Sequence, residues 1–152
     1  MTPAVNPDDR GRMAARLGDK VKILLRPLEE VCRYRERRSE DTATFDVTPR
    51  RKAALGFSIA IAPGGINIDT AAFSIKELAV EQADIALALV DAVLAGRLRQ
   101  VRQMKAGGEP RVTKTYIFDD DGRLLFKNRK SGALTAFARP TRTERIRFAP
   151  YG

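Results

Sequence analysis

The stretch ALGFSIAIAPGGINID, residues 54–69, gives the clearest information about the fold. Large apolar side chains alternate with small or polar ones on both sides of a turn at Pro63, Gly64 and Gly65. Successive side chains of a strand point to opposite faces, so this period of two predicts a β-hairpin with one apolar face. The segment 42–47, just before it, can supply a further strand.

A second hairpin is predicted over residues 111–128, where Val112, Tyr116 and Phe118 alternate with smaller or more polar residues. Its turn is Asp119-Asp120-Asp121-Gly122 (119–122). Clustered aspartates can bind a divalent cation, but these lack the ligand spacing of a calcium loop, and Asp-Gly is typical of hairpin turns. We therefore interpret 119–122 as a turn and expect no metal site. The pattern also allows a short last strand at 146–148.

The N-terminal 40 residues are predicted to be helical. Asn6-Pro7-Asp8-Asp9 combines an N-cap residue, a first-turn proline and acidic groups that favour a helix start. Apolar residues then recur at helical spacing, namely Leu17, Val21, Leu24, Leu28 and Val31. Because Pro27 interrupts this run without changing its phase, two helices or one kinked helix are favoured over a helix followed by a strand.

A long core helix is predicted over residues 76–106. Ser74 and Glu77 match a capping box, and a wide apolar arc follows. Gly96 could end the helix, but Leu98 and Val101 continue the apolar face and favour continuation towards Gly107.

Together these elements predict a single α+β domain, residues 1–152. It would consist of an N-terminal helical segment (1–40), a core of antiparallel sheet packed on the long helix (41–130) and a basic C-terminal segment (131–152). The chain is long enough to form a core without disulfides or metal. The residues expected to be buried in it are Phe57, Ile59, Ile61, Ile68, Leu89, Val93, Tyr116 and Phe118.

The composition argues against several kinds of chemistry. The chain has no histidine and one cysteine, so it lacks the commonest general base and cannot form an internal disulfide. No phosphate-binding glycine loop, dinucleotide motif or nucleophile elbow is present. Cys32 is interpreted as a buried structural thiol, with a nucleophile activated by neighbouring arginines as the alternative. We expect no catalytic residues and no cofactor.

The location of the protein is expected to be the cytoplasm. Residues 1–9 lack the basic and apolar regions of a signal peptide. The most apolar stretch, 85–94, is about half the roughly 20 residues that a membrane-spanning helix needs. No membrane contact is therefore expected.

The formal net charge of +9 is concentrated near the C-terminus. Residues 97–152 contain fourteen Lys or Arg and five Asp or Glu. Such an asymmetry indicates an anionic partner, although a solubilising surface gives the same count. The candidate binding residues are Arg97, Arg99, Arg102, Lys105, Lys127, Arg129, Lys130, Arg142, Arg145 and Arg147.

The sequence leaves three hypotheses for function, of which the first two follow from this charge. The first is a non-enzymatic protein that contacts nucleic acid or a nucleic-acid-bearing complex through its basic C-terminal surface. The alternative is a protein–protein interaction module, such as an inhibitor, an immunity-type protein or an assembly component, that docks on an acidic protein face. A third is an enzyme acting through Asp, Lys and Tyr groups. The oligomeric state is not determined by the sequence.

Overall fold

The structure, a computed structural model, describes residues 7–104, 110–131 and 142–152. It contains two α-helices, α1 (Pro7–Leu25) and α2 (Ala83–Ala95), within these ranges. Short 3₁₀ turns follow α1 and precede α2. The α+β class predicted from the sequence is confirmed.

Nine strands form two antiparallel sheets in the described parts of the chain. The first has the order β1-β2-β3-β4-β5, and the second has the order β8-β7-β6-β9. The strands of the first sheet are β1 (Cys32–Arg38), β2 (Ala43–Pro49), β3 (Phe57–Ala62), β4 (Gly65–Thr70) and β5 (Ser74–Leu78). Those of the second are β6 (Leu98–Met104), β7 (Pro110–Phe118), β8 (Leu124–Ser131) and β9 (Arg142–Arg147).

Both hairpins predicted from the sequence are confirmed. β3 pairs with β4 across the turn at Pro63 and Gly64, and β7 pairs with β8 across the aspartate turn. The strands expected near 42–47 and 146–148 are also present, as β2 and β9. The prediction of one sheet is wrong, because the two hairpins belong to different sheets.

A continuous hydrophobic core joins both helices and both sheets. α1 packs against β2, β3 and α2, and α2 also contacts β7. Six of the eight residues predicted to be buried are at most 4% exposed: Phe57, Ile59, Ile61, Ile68, Leu89 and Val93. Tyr116 and Phe118 are only partly buried, because β7 turns the opposite set of side chains, including Thr115 and Ile117, into the core.

The two sheets are joined by a chain of buried polar contacts. The Thr115 hydroxyl donates a hydrogen bond to the carbonyl of Ala72, between β4 and β5, at 3.1 Å. The Gln100 amide donates to the Thr115 oxygen at 3.2 Å, and Arg102 donates to the Gln100 carbonyl oxygen at 3.0 Å. Thr115 and Gln100 are at most 3% exposed, so these bonds satisfy polar groups that would otherwise be costly to bury.

The long helix predicted over 76–106 is wrong at both ends. Ser74 and Glu77, interpreted as a capping box, belong to β5, and α2 begins only at Ala83. α2 ends at Ala95, and Leu98 lies in β6 rather than in a helical continuation. A capping box is a local signal, whereas β5 is fixed by hydrogen bonds to β4, and β6 by hydrogen bonds to β7 and β9.

The helical prediction for residues 1–40 is also wrong beyond α1. Residues 32–38 form β1, an edge strand that pairs with β2 from Cys32 to Arg38. Leu28 and Val31 keep the apolar spacing of α1, but the helix stops at Leu25, before Pro27. A helix followed by a strand, the less favoured reading, is therefore the observed arrangement.

Gly96 sets the end of α2 by its conformation and by its surroundings. Its φ of 71° lies in the left-handed region, and its amide bonds the carbonyls of Ala92 and Val93. A Cβ built on Gly96 would lie 2.6 Å from the backbone nitrogen of Pro150. No L-residue fits there without displacing the C-terminal segment, which packs on the helix end.

We expect Ile59→Ala to lower the free energy of unfolding by about 2–5 kcal/mol, because Ile59 is completely buried and the cavity cannot refill. Ile23→Ala is the matched control, since Ile23 is 61% exposed and the loss should stay within about 0.5 kcal/mol. Urea unfolding measures both. Equal losses would contradict the assignment of the core.

We expect Gly96→Ala to lower the free energy of unfolding by about 2 kcal/mol or more, because Ala is strained at positive φ and would overlap backbone atoms. Gly64→Ala serves as the control: nothing lies within 4 Å of its added Cβ. Thermal unfolding of both variants tests this. A Gly96→Ala variant as stable as Gly64→Ala would refute the role given to Gly96.

Candidate functional site

The second sheet brings residues from all four of its strands into one row. Arg99 on β6 lies opposite Tyr116 on β7 and opposite Arg147 on β9. Tyr116 in turn lies opposite Lys127 on β8. Directly opposed residues project from the same side of a sheet. The first row is therefore Lys127, Tyr116, Arg99 and Arg147.

A second row lies two residues further along each strand, on the same side. Val101 is opposite Lys114 and Arg145, and Lys114 is opposite Arg129. We call the eight residues of both rows the basic face: Lys127, Tyr116, Arg99, Arg147, Arg129, Lys114, Val101 and Arg145. Six of these eight are Lys or Arg, and none is acidic.

The cations of the basic face have no acidic partners within the described residues. Each of the six is free of an ion pair there, whereas Arg38 and Arg97 lie 2.7 and 2.6 Å from carboxylates. Neighbouring strands are about 4.8 Å apart and the two rows about 6.8 Å apart. Like charges at such distances repel by about 0.6–0.9 kcal/mol per pair in water. The face thus carries uncompensated positive potential.

Two aromatic rings lie among these cations. The Lys127 ammonium is 5.6 Å from the centre of the Tyr116 ring, and the Arg99 guanidinium is 5.7 Å from the centre of the Phe118 ring. Phe118 is two residues from Tyr116 on β7 and so lies on the same side. Both rings are partly exposed. Cation–π contacts at exposed sites are worth about 0.5–1 kcal/mol.

A cleft of about 450 Å³ adjoins the first row at the start of β6. We call it the end cleft. Arg99, Arg147, Phe118 and Phe148 line it together with Asp119 and Asp120 of the β7–β8 turn. Its lining thus combines cationic, aromatic and acidic residues.

The residues predicted as a binding site are placed on both sides of the second sheet. Arg99, Lys127, Arg129, Arg145 and Arg147 lie together on the basic face. Arg102, Lys130 and Arg142 belong to the opposite set of the same strands. Arg97 is bound to Asp91 at 2.6 Å. Lys105 lies outside the described residues.

Lys114, Tyr116 and Phe118 were not among the predicted site residues. The sequence pattern predicts Tyr116 and Phe118 in the core and gives no role to Lys114. The strand period was correct, but large aromatic residues were assumed to mark the buried side. Ile117 and the hydrogen-bonded Thr115 occupy that side instead. The sequence does contain a signal for this site. Lys114, Tyr116 and Phe118 are alternate residues of β7 and therefore project from the same side of the sheet.

The aspartate turn has the hydrogen bonds of a hairpin turn. The Asp119 carboxylate accepts from the amides of Asp121 and Arg123 at 2.9 and 2.8 Å. Gly122 adopts a φ of 82°, which favours glycine. The hydrogen bonds and the Gly122 conformation support the interpretation of 119–122 as a turn. Carboxylate oxygens of the three aspartates lie within 4.8 Å of one another.

Cys32 is buried, with 3% exposure, at the start of β1. Burial raises the pKa of its thiol, the Glu29 carboxylate raises it further, and Arg50 opposes them. A raised pKa makes the thiolate scarce at neutral pH, which disfavours a nucleophilic role. Burial likewise raises the pKa of Tyr151, whose hydroxyl donates to the Leu55 carbonyl at 2.6 Å.

In comparisons with known proteins, no family model matches the chain, and no significant match was found among curated proteins or solved structures. Within the described residues, the helices are too short or too polar to cross a membrane.

We expect Cys32 to react with iodoacetamide at pH 8 much more slowly in the folded protein than in urea. The folded state holds the thiol proton more tightly than the unfolded state does, because burial raises the pKa of Cys32. The protonated thiol therefore contributes to stability at pH values below the ordinary pKa of a cysteine. This contribution is lost as the pH rises through the raised pKa of the folded state. Mass spectrometry over time measures alkylation. Equal rates in the folded and unfolded protein would contradict a buried, protonated thiol.

Proposed function

We propose that this protein is a non-enzymatic binding protein that contacts nucleic acid, or a nucleic-acid-bearing complex, through the basic face. One observation carries the proposal. Four strands contribute six cations to two adjacent rows, and none of the six has an acidic partner among the described residues.

Phosphate groups are the ligands that such a face favours. Lys and Arg side chains that contact phosphates release condensed counterions, and this sequence-independent effect supplies most non-specific affinity for nucleic acid. A polyanion would also remove the repulsion among the six cations. Since the strands are held in register by backbone hydrogen bonds, their side chains are anchored before the ligand arrives.

The alternative partner is an acidic protein face, which the same charges could also attract. The Tyr116 and Phe118 rings favour nucleic acid, because aromatic rings beside Lys and Arg are typical of surfaces that contact bases as well as phosphates. A cytoplasmic location is part of the proposal, since a reducing compartment keeps the lone cysteine free.

We expect the triple variant Lys127→Ala, Arg129→Ala, Arg145→Ala to bind a 20-nucleotide single strand and a 20-base-pair duplex more weakly. The slope of log affinity against log salt should flatten by about two to three units, since each lost phosphate contact removes about 0.7–0.9. Fluorescence anisotropy from about 50 to 200 mM salt measures this.

The matched control is Arg51→Ala, Lys52→Ala, Lys76→Ala, which removes three exposed positive charges outside the second sheet. It should keep the slope of the unmodified protein. Equal flattening in both triple variants would refute a localised site. Absence of binding to either nucleic acid at about 50 mM salt would refute the proposed function, and equally tight binding of polyglutamate would favour the acidic-protein alternative.

A further inference from the structure

We infer that the nucleic acid bound on the basic face is single-stranded, with bases stacked on Tyr116 and Phe118 and phosphates held by the surrounding cations. This inference rests on the proposed function and specifies its ligand. It starts from the side-chain order across the sheet, where each ring has a cation directly beside it.

The spacing of the two rings favours separated bases. Tyr116 and Phe118 are two residues apart on one strand, or about 6.8 Å. That is twice the 3.4 Å rise per nucleotide along one strand of duplex DNA. Consecutive bases of a stacked helix therefore cannot each cover one ring, whereas an extended single strand can place one base on each.

The accessibility of the base faces also favours a single strand over a duplex. In a duplex the faces of the bases are covered by their neighbours, and proteins read only base edges in the grooves. Partly exposed rings that project from a sheet contact base faces, as in other sheet surfaces that bind single strands. For a duplex, Tyr116 and Phe118 would contribute little, and the cations alone would set the affinity.

Lys127 and Arg99 now lie over these rings, so a base must displace them. An exposed cation–π contact corresponds to a factor of roughly 2–5 in an equilibrium constant, whereas stacking of a base on an aromatic side chain corresponds to roughly 5–150. Stacking therefore outweighs the contact that it replaces. The displaced Lys127 and Arg99 are then adjacent to the phosphates on either side of the bases.

The end cleft limits the path of the strand. Its Asp119 and Asp120 carboxylates repel phosphates, while Phe118 and Phe148 offer ring surface. We therefore expect the cleft to bind a base. The phosphates then lie along the two rows of the basic face, whose charged residues are all positive. The cleft volume of about 450 Å³ is within the usual range for small-ligand sites.

The test measures binding of three probes by anisotropy: a 15-nucleotide oligothymidine, the corresponding oligouridine and a 15-base-pair DNA duplex. The variants are Tyr116→Leu and Phe118→Leu, which keep an apolar side chain but remove the ring. Tyr116→Phe keeps the ring. Tyr34→Leu is the control, because Tyr34 is a partly buried strand tyrosine on β1, in the other sheet. Thermal unfolding establishes that each variant is folded.

We expect both leucine variants to bind the single strands roughly 5- to 150-fold more weakly, with the salt slope and duplex affinity unchanged. Tyr116→Phe and Tyr34→Leu should bind as the unmodified protein does.

Tighter binding of the duplex than of the single strands, or leucine variants that lose no affinity, would overturn the inference while leaving the proposed function intact. Absence of binding to all three probes would overturn both. If one leucine variant fails to fold, the other, together with Tyr116→Phe, still decides the result.

Discussion

The left-handed backbone of Gly96, enclosed by the returning C-terminal segment, is the constraint on which the second sheet depends. It stops α2 at Ala95, and the Arg97 amide then bonds the Ala92 carbonyl. After this helix end the chain continues as β6, the strand that pairs with both β7 and β9. Without that break, the apolar spacing of Leu98 and Val101 could continue a helix, and the two rows of cations would not form.

One set of alternating side chains of the second sheet faces the core, and it includes Leu98, Gln100, Thr115 and Ile117, all of which are buried. Gln100 and Thr115 are hydrogen-bonded to each other, and Thr115 also bonds Ala72 in the turn between β4 and β5. A reversed sheet would expose the apolar side chains of Leu98 and Ile117 and would bury the cations of the basic face without acidic partners, which is costly. The alternate set of side chains, which carries the basic face, consequently faces outward.

The features that depend on local patterns could be predicted from the sequence, whereas the strands whose existence depends on pairing with other strands could not. Both hairpins follow from alternation and turn residues, and the burial of Ile59 and Leu89 follows from period alone. Residues 98–104 were predicted to be helical, and their assignment to a strand depends on pairing with β7 and with β9, of which β9 is remote in sequence. Charge counts located the basic segment, but they could not separate Arg129 from its neighbour Lys130, which belongs to the opposite side.

The charged edge strands have a consequence for self-association. β8 and β9 form the two edges of the second sheet, and open edges are templates for pairing with another chain. Here both edges carry Lys and Arg, including Arg129 and Lys130 on one and Arg145 and Arg147 on the other. Two copies that approach edge to edge would bring like charges together, so the arrangement protects the sheet against lateral aggregation.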